Sequence, residues 1–136
     1  MQEAPPTTKD RATIVRECIA TSLSLPLDQV HLDSNLMQEL GADSLSFLDI
    51  VFRLEQEFSI QITRGEMERA AKGNMSDEEF APSGAISEAG LARLRSLIPE
   101  STHRIHAGLR PGQIPSLFTT RTFLNMVEGK LKGETL

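Results

Sequence analysis

The sequence predicts an all-α bundle folded as a single domain. Three stretches show apolar residues recurring at spacings of three and four, the period of a helix with one buried face. Pro and Gly punctuate the segments between them, and the one alternating run, SIQIT (59–63), is too short to support a strand. A length of 136 residues fits one domain with one core. The expected architecture is three main helices, a short one and an inserted helix with long loops.

The first eight residues are polar, carry Pro5-Pro6 and read as a loose arm ahead of a domain over 9–136. From about Lys9 to Leu23, Ala12, Val15, Cys18 and Ile19 mark a helix that Pro26 prevents from continuing. Residues 24–43 form a long loop pinned by Val30, Leu32, Leu36, Met37 and Leu40, with Asp33 or Ser34 expected to cap a short turn. Gly41 frees the backbone for a sharp bend. The next helix spans Ser44 to Phe58. Leu45, Leu48, Val51, Leu54 and Phe58 keep the helical period, and Phe47, Ile50 and Phe52 widen the stripe. So broad an apolar face predicts contacts on more than one side.

Residues 64–72 suit a short helix. The following stretch, KGNMSDEEFAPSGAIS (72–87), reads as a loop with one turn near Ser76–Phe80. Ser87 caps a helix that carries Leu91, Leu94, Leu97 and Ile98 until Pro99 ends it. Residues 100–115 read as irregular. A last helix from Thr119 or Thr120 to Leu131 buries Phe123 and Val127, with Leu124 and Met126 beside them.

Composition narrows the function. The net charge of −5 is concentrated in residues 1–63, with 4 basic and 10 acidic side chains, which repels phosphate backbones and attracts basic proteins. With no Trp, no Tyr and six Phe, there is little surface on which bases stack. No apolar run is long enough to span a bilayer, and the N-terminus lacks a signal layout. The single cysteine, Cys18, excludes an internal disulfide and fits a cytoplasmic protein; its place on an apolar helix face predicts a buried structural thiol. His31, His103 and His106 show no spacing that asks for a serine triad, and no G-x-S-x-G turn is present. His103 and His106 lack the further ligands of a metal site, and no phosphate loop occurs.

Ser44 remains. A serine at a helix start can cap it by accepting an N–H bond, worth about 1 kcal/mol. If Asp43 caps instead, Ser44 becomes the first helical residue, with a solvent-facing hydroxyl at an end that favours phosphate. The run ELGADSL from Glu39 to Leu45, followed by FLDIVFRLEQEF, resembles the signature and recognition helix of acyl carrier proteins. The resemblance implies a four-helix acyl-carrier-type bundle with an additional inserted helix, and spans about residues 9–72 and 116–132. It implies that Ser44 carries covalent 4′-phosphopantetheine from coenzyme A, whose thiol holds an acyl group as a thioester. Asp43 and Leu45 would be read by the phosphopantetheinyl transferase. Leu48, Asp49, Phe52 and Glu55 would face partner enzymes of fatty-acid, lipid or polyketide-type biosynthesis that transfer, elongate or modify the cargo.

By this reading the chain is a monomeric carrier and not itself an enzyme. Two alternatives stay open: an aminoacyl or peptidyl carrier, and a helical interaction module without the arm. Ser46 and Gln56 stand where family members often carry acids, and Arg53 adds a positive charge. The insertion at about 72–115 replaces a short turn and resembles single-domain carriers of specialised pathways. It is expected to enlarge the sheltering core or to form a private docking surface.

Overall fold

The computed structural model describes residues 10–62 and 66–133. The expected arm at residues 1–8 therefore lies outside the described residues. Among the described residues six α-helices follow one another: α1 Arg11–Leu23, α2 Ser44–Phe58, α3 Glu66–Lys72, α4 Asp77–Phe80, α5 Glu88–Leu97 and α6 Thr120–Leu131. Helices α1, α2 and α6 pack on one another, and α5 packs on α3. There is no β-strand among the described residues, so SIQIT forms none over 59–62.

Local chemistry sets the helix bounds. Asp10 caps α1 by accepting a bond from the Thr13 N–H at 2.8 Å. The helix ends at Ser24, which takes a left-handed conformation at φ 57°, while the Leu25 N–H reaches back to the Ala20 carbonyl. The terminus is thus made by the chain reversal at Ser24, ahead of Pro26. In the loop that follows, Ser34 closes a short turn, its Oγ accepting the His31 N–H at 3.1 Å, and Asn35 makes the next, tighter one. Its Oδ1 accepts from the Gln38 N–H, and its own N–H donates to the Glu39 carboxylate. Gly41 adopts φ +78° with open space around it, so conformation and not room requires glycine there.

A correction concerns α2. Its buried residues are Ile50 and Leu54, with Phe47, Val51 and Phe58 half-buried against the same core. Leu45, Leu48 and Phe52 face solvent. The broad stripe is two faces: one packs into the bundle, and the other is exposed. Residues 100–115 are also more regular than expected, forming two 3₁₀ segments at Pro99–Arg104 and Pro111–Leu117. Each opens on a proline at its start, a position that loses no hydrogen bond.

The inserted segment shares the core with the rest. Phe80, Ile86, Leu91, Leu94, Ile98, Ile105, Leu109 and Ile114 are buried in one cluster with Val15, Ile19, Leu36, Phe123 and Val127. Polar bonds fix the joint. The Arg93 guanidinium on α5 donates to the carbonyls of Ala70 and Ala71 at the end of α3. Ser101 donates to the Leu117 carbonyl, and Thr122 on α6 donates to Glu100.

Gly90 lets α5 approach α4. A β-carbon there would lie 2.6 Å from Ile86 Cγ2 and 2.7 Å from Phe80 Cε1, both in buried side chains. Alanine is the better helix former by about 1 kcal/mol, yet overpacking a core costs about 1–3 kcal/mol. Gly90→Ala is therefore expected to destabilise the fold by about 1 kcal/mol net. A lower urea midpoint at unchanged slope is the outcome that checks it.

Candidate functional site

The site is the start of α2 and the loop that delivers it. Asp43 is the N-cap: its Oδ1 accepts the Ser46 N–H at 2.9 Å. Ser46 reciprocates, its Oγ accepting the Asp43 N–H at 2.8 Å. This capping box satisfies both ends of the turn without using Ser44. Ser44 is consequently the first helical residue and is exposed, and no described residue bonds its hydroxyl. Leu45 beside it is 78% exposed. Ser46 is the site residue that sequence reasoning did not single out; the Asp-x-x-Ser spacing was the available signal.

The Asp43 carboxyl is held below its ordinary value, first by the Ser46 backbone N–H, then by the Ser46 hydroxyl, with a smaller contribution from the Leu45 N–H. It stays ionised and committed to the helix end, which makes it a poor base for the neighbouring hydroxyl.

Four hydrogen bonds and an aromatic contact hold this start in place. The Leu36 N–H donates to the Phe118 carbonyl, the Thr120 N–H to Ser34, and the Arg121 N–H to Leu32. The Asn35 amide donates to the Ser116 carbonyl at 2.8 Å. The loop before Ser44 is thus strapped to the segment that opens α6. Phe47, in the first turn of α2, packs against Phe118 and Phe123 with ring centroids 5.2 Å apart. Phe118 and Phe123 meet each other at the same separation, closing an aromatic triad under the site.

Beyond the first turn, Leu48 is 46% and Phe52 58% exposed, continuing from Leu45 along one helical face. The acids expected on this helix are partly engaged within the chain. Asp49 pairs with Arg53 at 2.7 Å, and its carboxyl is lowered first by that bond and then by Ser22. Glu55 accepts the Ile62 N–H at 2.8 Å, tying the end of α2 to the following loop. A groove of about 900 Å³ runs between α1 and α2, lined by Ile14, Cys18, Phe52, Arg53 and Glu57 among others. Cys18 is buried, and its thiol is pushed up to about 11, chiefly by desolvation and then by Glu57. It is an inert thiol, as expected of a structural one.

His103 and His106 do not share a helix, since the 3₁₀ segment ends at Arg104. No group of three metal-ligating side chains occurs among the described residues. No helix among them is long and apolar enough to cross a membrane.

A phosphate ester is compatible with this geometry. The hydroxyl is exposed, has no hydrogen-bond partner among the described residues, and sits at the positive end of a 15-residue helix. Comparison with known proteins places the chain among phosphopantetheine-bearing carriers without naming the residue. The family model described as "Phosphopantetheine attachment site" matches residues 13–71, a span that contains this turn. The chain is 40% identical over 55 residues to an acyl carrier protein of Campylobacter hominis, covering 40% of this chain and 70% of that one. It is 33% identical over 58 residues to one of Campylobacter jejuni subsp. doylei, covering 43% and 75%. A third, of Campylobacter fetus subsp. fetus, is 34% identical over 55 residues, covering 40% and 71%.

The Asp43 cap makes acid stability testable. Its folded carboxyl titrates below the unfolded value near 3.8, so its contribution is complete above that value and disappears as pH falls through the folded one. Asp43→Asn keeps a capping oxygen but cannot titrate. Thermal unfolding between about pH 5 and pH 2 is expected to show a shallower acid loss for this variant than for the wild type.

Proposed function

The chain belongs to the acyl carrier protein family, and on that premise we propose that it carries an acyl intermediate as a thioester on 4′-phosphopantetheine attached at Ser44. The observation that carries the proposal is the free, exposed Ser44 hydroxyl at a helix end that Asp43 already caps. When bound, the arm supplies the terminal thiol on which the acyl group rides.

In the loading step the Ser44 oxygen forms a bond to the phosphorus of coenzyme A that bears the pantetheine. The diphosphate P–O bond breaks, and the nucleotide portion leaves. The Ser44 proton goes to a base on the phosphopantetheinyl transferase, since Asp43 is committed to the cap. Once made, the ester is stabilised by the α2 dipole by about 0.3–1 kcal/mol. Asp43 and Leu45 flank the attachment point and are the residues the transferase reads.

Partner enzymes of fatty-acid, lipid or polyketide-type biosynthesis dock on the face formed by Leu45, Leu48 and Phe52. Exposed apolar anchors of this kind supply binding energy once a partner excludes water around them. Asp49 and Glu55 contribute at the rim. Asp49 brings an ion pair more than a free charge, and Glu55 shares its carboxylate with the Ile62 N–H. Their effect falls on encounter rate and specificity more than on affinity.

Incubation with coenzyme A and a broad-specificity transferase tests this reading by intact mass. The wild type is expected to gain one arm and Ser44→Ala none. No gain on the wild type, or an equal gain on the variant, would refute attachment at Ser44. Leu45→Ser leaves the core untouched and is expected to lower kcat/KM for loading about tenfold, the cost of one lost anchor.

A further inference from the structure

We propose that the concavity of about 500 Å³ between Gln38 and the 103–117 segment binds the phosphate of a small phosphorylated molecule. The pocket is lined by His103, Arg104, His106 and Gln113, and no carboxylate lines it. That inverts the sign of a chain whose net charge is −5. Glu100, the acid of the same segment, turns away to accept the Thr122 hydroxyl at 2.7 Å.

The donors are held in place for an oxyanion. The Arg104 guanidinium donates through Nη1 to Gln38 Oε1, which aims the guanidinium and leaves its other N–H groups for a ligand. The same bond occupies the Gln38 oxygen, so its NH₂ is the group left to donate. Gln113 Oε1 accepts the Arg110 N–H at 2.9 Å, which likewise leaves an NH₂. His103 carries a ring N–H in either neutral tautomer, while the His106 Nδ1 lies 3.2 Å from the Ala107 carbonyl, which takes the N–H of that nitrogen. Several donors from different elements suit a tetrahedral phosphate better than a planar carboxylate. Ala107, Leu109 and Leu117 add an apolar wall for an organic substituent, and the volume lies within the range of small-molecule sites. All of the lining except Gln38 falls outside the family match over 13–71, and most of it lies in the insertion.

The test is an NMR titration of the full chain at constant ionic strength, with inorganic phosphate and with phenyl phosphate as probes. Saturable shifts centred on residues 103–117 and Gln38 are expected, with phenyl phosphate tighter than phosphate. Arg104→Gln is expected to weaken binding about tenfold, and Arg104→Lys, which keeps the charge but not the fork, by less. His103→Gln with His106→Gln tests the site through exposed side chains, with little risk to folding. Shifts that never saturate, or that are equal in wild type and variants, mean an adventitious ion only and overturn the proposal. Saturation by a glutamate-rich peptide without phenyl phosphate binding would overturn it in favour of an acidic protein partner. The phosphate is assigned to a free molecule, so Ser44→Ala and arm-loaded wild type should bind alike. Loss of binding on loading alone would instead place the arm's own phosphodiester in the pocket and refute that assignment.

Discussion

Everything at the site depends on which side chain caps α2. A helix start leaves backbone N–H groups unsatisfied, and a serine at the boundary is a ready acceptor for one of them. Here Asp43 takes that role, and Ser46 returns a bond to the Asp43 N–H. The exchange moves Ser44 one position into the helix and removes any structural demand on its hydroxyl. A residue with no structural task is free for a covalent one. The field of the same helix end then favours a phosphate ester there.

The cap would be of little use on a start that wandered. The loop ahead of it is strapped by backbone and amide bonds to residues 116–121, and Phe47 anchors the first helical turn in the aromatic triad. The strap and two members of the triad lie at or beyond the end of the insertion. The insertion therefore bears on the site through the packing it completes: its apolar side chains share one core with α1, α2 and α6, and Arg93 closes the end of α3. A segment so interlocked is part of the fold and not an appendage. It also carries most of the cationic concavity, which gives this carrier a surface opposite in sign to its acidic first half.

Much of this was legible in the residues. α2 was readable over its full length because its apolar period, its capping residues and Gly41 agree, and local agreement of that kind is what specifies an element. Ser87 was readable as a cap for the same reason, whereas Thr119 was readable only as the boundary of the last helix. Periodicity alone does not separate the bare apolar residues of α2 from the packed ones: it places Leu45, Leu48 and Phe52 on the helix, the resemblance turns Leu48 and Phe52 outward, and the tertiary arrangement leaves all three exposed. The Asn35 turn was hidden because Asp33, Ser34 and Asn35 are all turn formers, and the choice depends on the bond from Asn35 to Ser116, far along the chain. The 3₁₀ segments were hidden by their prolines and glycines, which mark both loops and tight helical starts. The role of Ser46 was hidden because Asp-x-x-Ser is a weaker capping signal than one closed by Glu or Gln, and only the reciprocal bonds with Asp43 reveal it.

Amide hydrogen exchange at Ser46 tests the central claim most directly, because it reports which side chain holds the first turn of α2. The account predicts that the Ser46 amide is protected equally in the wild type and in Ser44→Ala, and loses that protection in Asp43→Ala. Loss of protection in Ser44→Ala, with Asp43→Ala unaffected, would make Ser44 the cap and contradict its assignment as a free handle.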